Sequence, residues 1–71
     1  MVKAQKTTVE KLGKNISKLR KAQKLTQQQL ADKLGLTQAY MGHIEQGRKS
    51  PSLEVMEKIA KALKVSVKDL F

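Results

Sequence analysis

Residues 27–46 read QQQLADKLGLTQAYMGHIEQ, and the spacing of their apolar side chains decides the fold. Leu30, Ala31 and Leu34 share one face of a helix that starts at Gln27, and Met41 and Ile44 share one face of a second that starts at Gln38, because residues three and four apart in a helix point the same way. Between the two stand Gly35, Leu36 and Thr37. Glycine accepts the left-handed backbone that commonly ends a helix, and a threonine hydroxyl accepts a hydrogen bond from an otherwise unpaired first-turn amide. Ala31 is small where a close helix crossing leaves little room, and Leu36 adds to the buried side. The stretch predicts two short helices joined by a tight turn.

The same punctuation extends in both directions. Upstream, Thr26 with Gln29 and Thr7 with Glu10 have capping-box spacing, and Leu12, Ile16 and Leu19 recur at helical period. Downstream, Gly47 ends the second short helix, and Pro51 marks a loop. Ser52 precedes the periodic set Leu53, Met56, Ile59, Ala60 and Leu63, and Ser66 precedes a last short segment. Strand-like alternation is confined to Val65–Val67. The prediction is an all-α, compact, five-helix domain with helices at 9–22, 27–34, 38–46, 53–63 and 67–71. Residues 1–7 are expected as a disordered basic tail and 8–71 as the folded domain.

With 71 residues and no cysteine, the chain must hold together by apolar packing or self-association, without disulfides or a thiolate metal site. No cofactor or metal is expected. MVKAQKTTVEKL at the N-terminus has no apolar run long enough for a signal peptide or membrane span, so a cytoplasmic protein is expected. The formal charge of +9 meets the electrostatic requirement of a nucleic-acid-binding domain. That charge is uneven: residues 1–24 carry +7, residues 25–50 carry +1 and residues 51–71 carry +1. Gly35–Gly47 holds no lysine or arginine at all.

Enzymatic chemistry finds no framework here, since there is one histidine, no cysteine and no acid pair set on a glycine-rich or metal-ligand scaffold. Glu45 lies two residues from His43, and such positions do not face each other on a helix. One Tyr and one Phe provide no base-stacking platform for RNA. The basic first helix lacks the aromatic anchors usual at a membrane surface.

Three stretches in this order, ISKLRKAQKLTQQQLADKLGL, IEQGRKSPSLEVMEKIAKAL and VSVKDLF, resemble the Xre/Cro-type helix-turn-helix family of phage repressors and small restriction–modification controller proteins. The resemblance covers about residues 12–71. It implies a repressor-like domain whose recognition helix is 38–46, entering the major groove of double-stranded DNA. With Met41 and Ile44 turned to the core, Gln38, Ala39, Gly42 and His43 share the opposite face and are the candidate base contacts. Gln38 comes first, because it stands at the helix N-terminus and glutamine bonds adenine bidentately. Ala39 either meets a thymine methyl or makes room. His43 bonds a base or a phosphate, or is a solvated surface histidine. Gly42 allows close approach to DNA or is a tolerated poor helix former.

Arg48, Lys49 and Ser50 follow that helix and can meet phosphates along the groove edge. Gln27 matches a family position that bonds a phosphate at the N-terminus of the second helix. The resemblance gives Tyr40 and Gln46 the same role, with half-buried packing the other reading of Tyr40. Lys3 and Lys6 form either a floppy electrostatic arm or an ordinary tail. Arg20 matches the family arginine that pairs with the recognition-helix glutamate, here Glu45, a structural ion pair. Family members commonly bind as symmetric dimers, and Leu63, Val65, Val67, Leu70 and Phe71 are the candidate homodimer interface, part of which must also close the small core. The expected function is a sequence-specific DNA-binding transcriptional regulator, a repressor rather than an activator, reading a palindromic operator. RNA polymerase or a cognate protein partner stands as a further partner. The alternative is an antitoxin or protein-interaction module whose DNA binding is secondary.

Overall fold

The computed structural model describes residues 8–71. Four α-helices follow one another, α1 Thr8–Ala22, α2 Gln27–Leu34, α3 Gln38–Glu45 and α4 Leu53–Leu63, and then a 3-10 turn, Val67–Leu70. Each α-helix lies within one residue of the span its punctuation predicts, and no strand forms among the described residues. The fifth helix expected over 67–71 is a correction. Its backbone bonds run from residue i+3 to i, Asp69 N–H to the Ser66 carbonyl at 2.9 Å and Phe71 N–H to the Lys68 carbonyl at 3.2 Å. So short a segment is too small to offset α-helix nucleation, and the tighter turn uses its few residues better. The Thr7 cap and the basic tail with Lys3 and Lys6 lie outside the described residues.

The helix ends are held by the side chains that mark them. Thr26 Oγ1 accepts the Gln29 N–H at 3.0 Å, and Gln29 Oε1 accepts the Thr26 N–H at 2.8 Å. Thr37 accepts from Tyr40 N–H at 3.0 Å and Ser52 from Val55 N–H at 3.1 Å. At Ser66 the Asp69 carboxylate reaches back to accept the Ser66 N–H at 2.9 Å. α2 stops where Gly35 takes φ 72° and the Leu36 N–H bonds the Ala31 carbonyl at 2.9 Å. α4 stops by the same device with a lysine in the glycine position: Lys64 has φ 63°, and Val65 N–H bonds the Ala60 carbonyl at 2.9 Å.

α2 packs against both α3 and α4, α1 crosses α3, and the 3-10 turn sits on α4 and α1. Ile16, Leu30, Met41, Ile44, Ile59, Leu63 and Leu70 are fully buried at the centre. This corrects part of the expected dimer surface. Leu63 and Leu70 have no exposed area in the single chain, because so small a fold needs them to close its own core. Val65 and Val67 are half-buried against that core, and Phe71 is 56% exposed. Leu53, counted by its spacing among the inward residues, stands at the first position of α4 and is 61% exposed. Two side chains, one on α1 and one just after it, reach the C-terminal part of the chain: Asn15 Nδ2 donates to the Leu70 carbonyl at 3.0 Å and Gln23 Nε2 to the Leu63 carbonyl at 2.6 Å.

The crossing of α1 over α3 depends on Gly13. A Cβ there would stand 2.3 Å from the Ile44 carbonyl oxygen and 2.8 Å from that of Glu45, well inside van der Waals contact with backbone that cannot swing aside. Gly13→Ala is therefore expected to destabilise the fold by about 3 kcal/mol, read as a lower urea midpoint. Lys64→Gly is expected to do the opposite, relieving about 1 kcal/mol of left-handed strain and raising the melting temperature by about 4–8 °C.

Candidate nucleic-acid interface

The roll of α3 about its own axis is set by Met41 and Ile44, both with zero exposure. Turning these two inward leaves Gln38 and Ala39 exposed and Gly42 and His43 half-buried on the other side. Together with Gln27 and Gln46 they line one open cleft of about 290 Å³. The lining contains no lysine, arginine, aspartate or glutamate. All four candidate base contacts therefore share one surface, and the first residue of α2 borders it.

Beyond α3 the chain winds around the His43 carbonyl, which accepts from Arg48 N–H at 2.9 Å and from Lys49 N–H at 3.3 Å. Arg48, Lys49 and Ser50 are exposed in this loop, as is Gln46 at the helix end. Tyr40 is half-buried and packs against the core. Among the described residues no group of His, Cys, Asp and Glu is placed to hold a metal, and no helix is long and apolar enough to cross a membrane.

Behind the cleft lies its anchor. The Arg20 guanidinium meets the Glu45 carboxylate with two bonds, Nε to Oε2 at 2.6 Å and Nη2 to Oε1 at 3.0 Å. Its Nη1 donates to the Leu25 carbonyl at 2.6 Å. The two side chains are only 9% and 5% exposed. Fork-to-fork pairing of this kind fixes direction as well as distance. Glu45 Oε1 also accepts from Gln27 Nε2 at 3.0 Å, a contact that sequence reasoning missed. The two residues are eighteen apart in the chain, and only the fold brings them together. Gly13 was missed as well, although a glycine in the middle of an apolar-periodic helix is a readable signal of close backbone approach.

Gly42 stands apart from the other glycines. Its φ is not in the left-handed region. A Cβ there would lie 3.7 Å from Gln27 Oε1 and 3.9 Å from Gln27 Nε2, which is ordinary contact. Neither backbone nor packing requires glycine, and a mid-helix glycine costs about 1 kcal/mol relative to alanine.

Two short helices at a tight turn, one turning a polar and uncharged face outward, is an arrangement with known relatives. The helix-turn-helix family model matches residues 16–70. The chain belongs to the Xre/Cro-type helix-turn-helix family. The immunity repressor protein of Bacillus phage phi105 is 45% identical over 56 residues, which are 79% of this chain and 39% of that protein. The restriction–modification controller protein C.AhdI from Aeromonas hydrophila superposes with a TM-score of 0.85 at 36% identity, covering 89% of this chain and 96% of that one. SinR, a master regulator for biofilm formation solved in complex with DNA, gives a TM-score of 0.78 at 33% identity, covering 83% and 95%. This helix-turn-helix chain spans well under half the length of several curated relatives, 39% of the phage repressor and 42% of a Mycobacterium tuberculosis regulator.

The buried pair makes a thermodynamic test. Arg20→Ala or Glu45→Ala alone is expected to cost about 3–5 kcal/mol, since each leaves a desolvated charge unpaired. Arg20→Ala combined with Glu45→Ala should cost clearly less than the sum of the two single changes. Urea titrations of the four proteins measure the coupling, and additive losses would show the two residues to be independent.

Proposed function

We propose that this protein is a cytoplasmic, sequence-specific DNA-binding transcriptional repressor that reads a palindromic operator through the major groove with α3. The observation that carries the reading is the division of charge: a neutral amide-lined cleft on α3 in a chain of charge +9. Base edges are read by matched donors and acceptors, and phosphates are held by cations at the margin. Gln38, Ala39, Gly42 and His43 take the first role, with Gln38 bonding adenine. Arg48, Lys49, Ser50, Gln46 and Gln27 take the second, and Gln27 adds the free amides at the start of α2. The Tyr40 ring packs inward, which leaves its hydroxyl as the phosphate-binding group. The Arg20–Glu45 pair is structural, and it neutralises an acid that would otherwise repel the phosphates.

One domain on one half-site reads few base pairs, and a homodimer with α3 helices about 34 Å apart would place both on successive turns of DNA. The exposed Phe71 and the half-buried Val65 and Val67 are the side chains of the expected interface left for that contact. Repression needs only occupancy of a promoter, so a domain of this size suffices, and the similarity to a phage immunity repressor points the same way.

The test is selection from a randomised duplex library at two salt concentrations with wild type, Gln38→Ala and Lys49→Ala. Wild type is expected to enrich a palindrome with half-sites one helical turn apart. Gln38→Ala should blur one position per half-site, with a loss of about 1–3 kcal/mol on the selected operator. Lys49→Ala should weaken binding to all duplexes and flatten the salt dependence by about one phosphate contact. Binding that enriches no sequence, with equal and steep salt dependence for all three proteins, would sink the reading and leave a nonspecific binder or a module for a protein partner.

A further inference from the structure

The unexplained glycine of α3 points to what that cleft reads. Position 42 lies between Gln38 and Gln46 on one stripe of the helix, at spacings of four residues, and with Ala39 it forms the least bulky part of the lining. The neighbour able to fall into the gap is Gln27, and its amide is tied back by the bond from Nε2 to Glu45 Oε1 at 3.0 Å. The space at position 42 is thus left by the missing side chain alone, and the restrained Gln27 amide, 3.7–3.9 Å from where a Cβ would stand, is a fixed wall beside it. A phosphate would find no cation in this cleft. Of the groups on base edges in the major groove, the one that is apolar and projects outward is the C5 methyl of thymine.

Resting on the DNA-binding reading above, we infer that Ala39 and Gly42 form a seat for a pyrimidine C5 methyl group, so that one thymine per half-site is recognised by fit. The Cβ of Ala39 and the bare Cα of Gly42, three residues apart on adjacent turns, are the apolar floor. Gln38 and His43 form the base-facing rim and can bond the polar edges of the same and neighbouring bases, while Gln27 and Gln46 border the seat on the side assigned to the phosphates. A side chain at position 42 would occupy the space the methyl group needs, which accounts for a residue that weakens its own helix.

The experiment uses the full chain and the operator obtained by the selection above. Each thymine in turn is replaced by deoxyuridine, which keeps the base pairing and removes only the methyl group. Wild type is expected to lose about fourfold in affinity at one thymine per half-site. Gly42→Leu should bind thymine and uracil there equally, and Gly42→Ala should discriminate less than wild type. Because a Cβ at position 42 meets nothing closer than 3.7 Å, Gly42→Ala keeps the fold and carries the test alone if the leucine variant melts early. The seat is overturned if no replacement affects wild type, or if both variants keep the full discrimination; specific operator binding would then still stand. Failure of wild type to select any operator overturns the DNA-binding reading and the seat together.

Discussion

One carboxylate and one guanidinium hold the DNA-facing half of the molecule in place. Arg20 comes from α1, Glu45 from α3, the Leu25 carbonyl from the turn between α1 and α2, and Gln27 from α2. A buried ion pair is a poor source of net stability, because desolvating two charges offsets most of their attraction. What this one supplies is orientation. Both Glu45 oxygens are engaged and three Arg20 nitrogens are directed, so α3 has one tilt and one roll relative to α1 and α2. Apolar packing alone would hold the same helices with more freedom to slide.

That constraint is what allows the reading face to be neutral. If α3 carried its own lysines, each register along the duplex would be attractive, and sequence would matter less. With Arg48, Lys49 and Ser50 in the following loop, the proposed attraction and the proposed discrimination fall on different stretches of backbone. In the function proposed above, the excess of +7 over residues 1–24 serves the encounter with an anionic polymer and the uncharged cleft of about 290 Å³ serves discrimination after it.

How much of this was legible in the sequence depended on range. Thr26, Thr37, Ser52 and Gly35 act on amides and carbonyls a few residues away, so helix boundaries could be read from them directly. The outward set Gln38, Ala39, Gly42 and His43 was also readable, because helical geometry alone opposes it to Met41 and Ile44. Most of the failures are tertiary, the 3-10 turn in place of a fifth helix and the left-handed Lys64 being the local ones. Leu63 and Leu70 have the composition of an interface and the burial of a core, and only the seating of the 3-10 turn on α1 and α4 distinguishes these. Gly13 is explained by carbonyls of another helix. Lys64 in a left-handed turn goes against the preference for glycine that makes Gly35 easy to recognise.

The bond from Asn15 to the Leu70 carbonyl spans 55 residues, and it has a consequence for the making of the protein. α1 is synthesised first, yet part of its cover is supplied by residue 70. At about 5–20 residues per second the ribosome takes about 3–11 s to cross that interval. Throughout it, α1 lacks the cover of that last turn, open to chaperones and proteases. A nascent chain cut short before Leu70 has an incompletely covered first helix and lacks a fully buried core residue.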